Sequence, residues 1–132
     1  MLAFAIPHKA KPRAFKTKKF SKNAKAAFVS DADLCDAIKE VMAGQAVDLG
    51  GGVYKKRLNK NQHRSIILAK GGNYWIYEYL FAKNDRDNID DAELEMFRQL
   101  AKGYEGLKKA QLAKLIEDKH LLEICHDDEK EI

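Results

Sequence analysis

The sequence predicts an α+β protein built on a small antiparallel sheet with helices packed against it. Residues 53–82 hold three successive runs rich in aromatic and β-branched side chains, joined by short polar connections, which is the pattern of an antiparallel meander. On either side of that block, 31–43 and 91–119 carry apolar residues at helical spacing between capping residues. The strands are apolar enough that helices must cover at least one face of the sheet.

The chain has 132 residues, enough for one domain and too few for two with cores of their own. Hydrophobic residues make up 45% and charged residues 33%, a share that excludes wholesale disorder. No stretch approaches the ~20 apolar residues that span a bilayer, so no membrane role is expected. The start, Met1 to Ile6 and then Pro7 and a basic run, has its apolar part before its charge, the reverse of a secretory signal. The first 25 residues lack acids, as transit peptides do, but Lys outnumbers Arg there and Ser is sparse. Cys35 and Cys125 form no Cys-x-x-Cys pair and no disulfide framework, and are expected to be two reduced thiols of a cytoplasmic protein.

Residues 1–14, with Pro7, Pro12, Lys9, Lys11 and Arg13, read as a flexible basic arm, 15–126 as the folded domain, and 127–132 as a frayed acidic tail. Phe15-Lys16-Thr17 reads as a short edge strand. Phe20, Ala24, Ala27 and Phe28 form one apolar stripe on a short helix over 18–28. Ser30 is an N-cap, with Asp31 and Asp33 in the first turn, where the helix dipole favours acids. Leu34, Ala37, Ile38, Val41 and Met42 continue that helix to Gly44, a residue suited to the left-handed position after a helix end. Cys35 lies beside this stripe and is expected in the core. Gly50-Gly51-Gly52 has neither the spacing nor the Lys-Ser/Thr ending of a phosphate loop and reads as a flexible lead into the next strand. The strands are Val53–Leu58, Ser65–Lys70 and Tyr74–Ala82, the last two joined by a tight turn over Lys70-Gly71-Gly72-Asn73. Asp90 or Asp91 starts a helix with Leu94, Phe97, Leu100 and Ala101 inward, broken by Gly103 and Gly106. Leu107–Lys119 is the last helix, with Leu112, Leu115 and Ile116 inward, and 120–125 a short strand.

Charge is unevenly spread. Residues 1–70 hold 15 Lys and Arg against 5 Asp and Glu, a net +10, and residues 71–132 hold 9 against 15, a net −6. From Leu49 to Tyr77 there is no acid, while Lys55, Lys56, Arg57, Lys60, Arg64 and Lys70 all fall there. A basic half joined to an acidic half predicts a polyanion-binding surface on one side of the fold.

The order of these features resembles a known family. A basic Phe15-Lys16-Thr17-Lys18-Lys19-Phe20 start and an acid-capped helix precede Asp48-Leu49-Gly50-Gly51-Gly52-Val53-Tyr54-Lys55-Lys56-Arg57, then Arg64, then Phe81-Ala82-Lys83. Over roughly 15–125 the chain resembles the RelE branch of the RelE/ParE bacterial toxins. The resemblance implies a small α+β fold with helices on one face of an antiparallel sheet. It also implies an mRNA-cleaving toxin acting in the ribosomal A site, and a partner antitoxin, a DNA-binding repressor, that neutralises it. No cofactor is implied. The chain departs from the family at Asn84, where RelE has an arginine, and at Asn88-Ile89, near which RelE has a tyrosine.

RNA cleavage without metal uses a 2′-hydroxyl as nucleophile. The site must move that proton, stabilise the charged phosphorane-like transition state and protonate the leaving 5′ oxygen. Alternation along 53–58 puts Val53, Lys55 and Arg57 on one face and Tyr54, Lys56 and Leu58 on the other. Tyr54 and Leu58 read as core, which points Lys55 and Arg57 to the open face. The expected catalytic set is Lys55, Arg57 and Arg64, with Lys83 and Arg86 closing the site. Lys56 at the sheet rim, Lys60 and His63 are the expected RNA-binding residues. His120, Cys125, His126, Asp127 and Asp128 match no metal-ligand spacing, so no metal is expected. A second reading stays open: a non-catalytic nucleic-acid binder, or a ParE-like toxin that poisons a protein target such as gyrase.

Overall fold

The computed structural model describes residues 12–70 and 73–125. Six strands, β1 (Arg13–Thr17), β2 (Val47–Gly50), β3 (Val53–Leu58), β4 (His63–Lys70), β5 (Tyr74–Ala82) and β6 (Leu121–Ile124), form one sheet in the order β2-β3-β4-β5-β1-β6. Four helices flank it: α1 (Lys18–Ala26), α2 (Asp31–Met42), α3 (Asp91–Glu105) and α4 (Lys109–Glu117). The expected meander is β3-β4-β5, and every neighbouring pair is antiparallel except β1 with β5. Gly71 and Gly72 of the β4–β5 turn, residues 1–11 of the expected arm and the tail 127–132 lie outside the described residues.

The helices cover both faces, the N-terminal pair one and the C-terminal pair the other. On the first face α1 and α2 bury Phe20, Ala24, Leu34, Ile38 and Val41 against Ile67, Trp75, Tyr77 and Leu80 of the sheet. The Tyr77 hydroxyl is buried and donates to the Leu34 carbonyl at 2.6 Å, fastening α2 to β5. On the second face α3 and α4 bury Phe97, Ala101 and Leu112 against Val53, Ile66, Leu68, Ile76 and Phe81. A parallel strand pair needs a long crossover connection, and here α1 through β4 provide it.

Several expectations are corrected. The segment starting at Arg13 is an interior strand, not an arm followed by an edge strand. Ala14 is buried on the α1/α2 face and Phe15 on the α3/α4 face, and Arg13 is held by Glu123 of β6 at 2.7 and 2.8 Å. Five residues are too few to display burial on both faces as a pattern. Gly50, expected in a flexible lead, ends strand β2, which pairs with β3. Leu100 is 38% exposed instead of inward, because the buried stripe of α3 runs through Phe97 and Ala101. Gly103 lies within that helix, which ends at Gly106. Phe28, expected on the α1 stripe, is 91% exposed.

The glycine turn has a packing role. Gly51 and Gly52 both have positive φ, +67° and +84°. A Cβ on Gly52 would stand 3.1 Å from the Ala69 carbonyl oxygen and 3.3 Å from the Ala101 Cβ of α3. Arg98 of α3 lies over the turn, donating to the Leu49 carbonyl at 2.6 Å and to the Gly50 carbonyl at 3.4 Å. Bare backbone at this turn lets α3 seat directly on the sheet.

The cysteines are also corrected. Cys35 of α2 and Cys125, just past β6, are joined as a disulfide across 90 residues of sequence, with their Cα atoms 5.5 Å apart. Sequence distance conceals a pairing that the fold creates by bringing the end of β6 beside α2. Closing so long a loop removes much of the freedom of the unfolded chain. We therefore expect reduction, or the Cys35→Ser variant, to lower unfolding free energy by about 2–4 kcal/mol. Chemical denaturation with and without reductant measures this. An unchanged midpoint together with two thiols titratable in the native protein would mean that the bond does not form.

Candidate nucleic-acid interface

Alternation and helix placement together create one cationic corner. On β3, Tyr54, Lys56 and Leu58 turn toward α1 and α2, while Val53, Lys55 and Arg57 turn toward the α3 side. On β4, Arg64, Ile66 and Leu68 share that second side. The first turn of α3 lies near β5, where Arg86 meets Glu93 and Tyr79 stacks on Phe97 with centroids 5.8 Å apart. The helix then crosses to the Gly51–Gly52 turn, where Ala101 meets Gly52. Val53, Ile66 and Leu68 are buried along its path, whereas Arg57 is exposed and Lys55 and Arg64 half-exposed at the far end of their strands.

Arg57 and Arg64 are direct partners across the ladder, and Lys55 lies two residues from Arg57 on the same face. Like charges directly opposite on a sheet destabilise it. Among the described residues no carboxylate forms an ion pair with Lys55, Arg57 or Arg64. The Arg64 guanidinium donates to the carbonyls of Asn61 and His63, at 3.0 and 3.2 Å, which holds it at the root of the β3–β4 turn.

The other expected site residues have different surroundings. Lys56 lies on the opposite face, 2.7 Å from the exposed Glu40 carboxylate of α2 and 3.1 Å from the Gln45 carbonyl, so α2 pairs its charge at the surface. Lys60 is at the exposed tip of the β3–β4 turn, where Asn59, Lys60 and Asn61 all have positive φ, 54°, 54° and 73°. His63 is half-exposed, its Nδ1 3.2 Å from the Asn59 side-chain amide. Lys83 is exposed after β5, and its backbone N–H donates to Gln62 at 2.9 Å, so the two loops are stitched together. Lys60, Asn61, His63, Lys83 and Asn84 line a shallow cleft there, with no acid on its walls among the described residues. Arg86 is held by Glu93 through both terminal guanidinium nitrogens, donates to the Tyr79 hydroxyl at 3.2 Å and through Nε to the Asn88 carbonyl at 3.0 Å, and lies over the Phe81 ring. The hydrogen bond to Glu93 raises the Arg86 pKa further, and the same bond lowers that of Glu93. In this arrangement Arg86 fastens the 83–90 loop to α3. No cluster of metal-ligating side chains occurs among the described residues.

Two residues escaped the sequence reading. Arg98 seats α3. Glu78 lies where the β4–β5 register slips, between Tyr77 and Tyr79, and its carboxyl is pushed up to about 7 by burial, opposed by the Tyr104 hydroxyl 3.4 Å away and by Lys19. An acid interrupting an otherwise aromatic strand was the available signal.

The molecule is thus a small α+β protein with a cationic corner at one end of its sheet that no carboxylate among the described residues pairs. A family model described as RelE toxin of the RelE/RelB toxin–antitoxin system matches residues 12–124, and the chain belongs to that family. Neither the curated proteins nor the solved structures contain a significant match to it. Membership makes it the toxin partner of a toxin–antitoxin pair, with a cognate antitoxin. No helix among the described residues is long and apolar enough to cross a membrane.

Glu78 gives a pH signature. The folded state holds its proton more tightly than the unfolded chain, so this group's contribution is fully present below pH 4.5 and is lost as pH climbs to about 7. The Glu78→Gln variant should show a flatter dependence of denaturation midpoint on pH between 4.5 and 7 than the parent. Identical profiles would mean that Glu78 titrates as a solvated carboxyl.

Proposed function

We propose that this protein is an endoribonuclease toxin that inhibits translation by cutting mRNA on the ribosome, and that its antitoxin restrains it. What carries the reading is the cross-strand Arg57–Arg64 pair with Lys55 beside it, three cations on an open corner with no carboxylate partner among the described residues. The fold spends stability to hold them together, and a phosphate in transit between two oxygens is the charge that repays it. In this reading the 2′-oxygen attacks the phosphorus as the P–O5′ bond breaks, Lys55 takes the 2′-hydroxyl proton, water protonates the leaving 5′ oxygen, and Arg57 and Arg64 stabilise the charged transition state between. Lys83, Lys60 and His63 hold the flanking RNA at the turn end of the sheet. Arg86 positions the 83–90 loop rather than touching RNA, since Glu93 already engages it. Asn84 stands at the family's arginine position. The place of action is the cytoplasm, where disulfides are exceptional, so the thiol state of Cys35 and Cys125 in growing cells bears directly on it.

Induction in a bacterium followed by primer extension on a translated message tests the activity. Codon-phased 5′ ends inside the reading frame are expected, and growth arrest without such ends would favour a protein target instead. Arg57→Ala and Arg64→Ala should each abolish growth inhibition while leaving the thermal melt essentially unchanged, because both side chains lie outside the core. A well-folded double variant that remains fully toxic would remove this corner from the mechanism.

Every proposed charge-stabilising group is Lys or Arg, so cleavage of naked RNA, where it occurs, should persist in chelator. RNA binding should weaken steeply with salt, by a logarithmic slope of roughly −0.7 per phosphate contact on a single strand, so about −3 for four contacts. Activity that vanishes with chelator and returns with magnesium would mean that acids such as Asp85, Asp87 or Asp90 form the working site.

A further inference from the structure

Phe28 breaks two rules at once. It follows the C-cap of α1 with φ of 60°, in the left-handed region where glycine or asparagine is usual and a bulky residue is strained. The Phe28 N–H donates to the Lys25 carbonyl at 3.1 Å and the Val29 N–H to the Ala24 carbonyl at 2.8 Å. This Schellman arrangement needs only the backbone and would close as well with glycine. The ring gains nothing from the fold in return, since Phe28 is 91% exposed while the neighbouring Val29 is buried. Here the chain carries both backbone strain and an exposed aromatic ring.

The ring's setting identifies what would use it. Asn59, at the β3–β4 turn, reaches the carbonyl of Ala27 at 3.5 Å and the His63 ring at 3.2 Å. Phe28 therefore stands one residue from a contact that leads into the cleft of Lys60, His63 and Lys83. A protein hot spot sets its aromatic anchor among well-packed apolar neighbours. Phe28 is instead a single exposed aromatic, one residue from the Asn59–Ala27 contact and three after exposed Lys25. Aromatic faces amid cations are how proteins bind single-stranded nucleic acid without reading its sequence.

We propose that Phe28 is a base-stacking residue of a second RNA subsite, in which a nucleobase flanking the cut lies on its ring while the adjoining phosphates lie on Lys60 and Lys83. The inference rests on the ribonuclease reading but names a contact away from the Lys55, Arg57 and Arg64 corner.

The test uses the full chain and a fluorescent 2′-O-methyl RNA decamer, which can be bound but not cut, with affinity read by anisotropy. Phe28→Gly should weaken binding by about 5- to 150-fold, the span of one lost stacking contact, while raising the thermal midpoint because the strain is relieved. Phe28→Trp should retain affinity, and its fluorescence should be quenched by the RNA. Binding by Phe28→Gly equal to the parent overturns the subsite, as does a parent that fails to bind the decamer. Loss of antitoxin co-purification by Phe28→Gly with unchanged RNA affinity also overturns it and makes the ring a protein contact. The codon-phased cleavage assay judges the ribonuclease reading separately, so the subsite can fail while that reading stands.

Discussion

The position of α3 on the sheet is the constraint from which the rest of the molecule follows. Gly51 and Gly52 turn with positive φ, and a side chain on Gly52 would press on the Ala69 carbonyl and on Ala101. A Cβ on Gly51 would meet the Arg98 side chain at 2.8 Å, but that chain is flexible and can move, whereas Ala69 is backbone. Gly52 is therefore the less replaceable of the two. Arg98, anchored on the carbonyls of Leu49 and Gly50, fixes the same end of the helix from above. At the other end of α3, Asp90 and Glu93 form a capping box, and Glu93 also takes Arg86. The helix is thus pinned at both ends along one line, and whatever lies off that line stays open.

What lies off the line is the end of β3 and β4 that bears Lys55, Arg57 and Arg64. Had α3 been seated nearer the β3–β4 turn, these cations would be buried against apolar neighbours, at a cost no fold sustains without paired acids. Lys56 shows the alternative fate on the opposite face, where α2 supplies Glu40 and pairs the charge. One residue of sequence separates a structural lysine from an open one, because the pleat sends neighbours to opposite sides. Arg86 is likewise an arginine whose charge serves the scaffold, by tying the loop after β5 to the start of α3.

The meander, the helices capped by Ser30 and Asp90 and the opposite facing of Lys55 and Lys56 were legible in the sequence, because each depends on residues close together in the chain. Ser30 and Asp33, for instance, cap α2 with groups three residues apart. What escaped depends on distant partners. That Phe15 lies inside the sheet requires β6, more than a hundred residues on. The disulfide needs the same long return. The engagement of Arg86, expected to close the site, by Glu93 depends on how the 83–90 loop folds back on the first turn of α3. The role of the glycines was hidden because their partners, Arg98 and Ala101, sit on a helix some fifty positions later. The charge map singled out the stretch that holds Lys55, Arg57 and Arg64 without separating them from Lys56, since composition cannot tell an open lysine from a paired one.

Locally consistent sequences are the rule in proteins that fold to one structure, and departures concentrate where function imposes them. Two of the departures here, the opposed Arg57–Arg64 pair and the strained, exposed Phe28, lie at the same end of the sheet, the end α3 leaves open. Asn59 links them, reaching the backbone beside Phe28 from the turn that also holds Arg64 through Asn61. Three consecutive left-handed residues, Asn59 to Asn61, shape that turn, and asparagine tolerates the conformation where most residues resist it. Lys60 between them does not, and it points a cation into solvent. Strain, like-charge repulsion and an exposed ring thus gather around one six-residue stretch, 59–64, while the opposite end of the sheet is closed by glycine, a seated helix and satisfied carbonyls. In the proposed reading, RNA is held and cut at the end of the sheet that carries the open cations, the end where these departures lie.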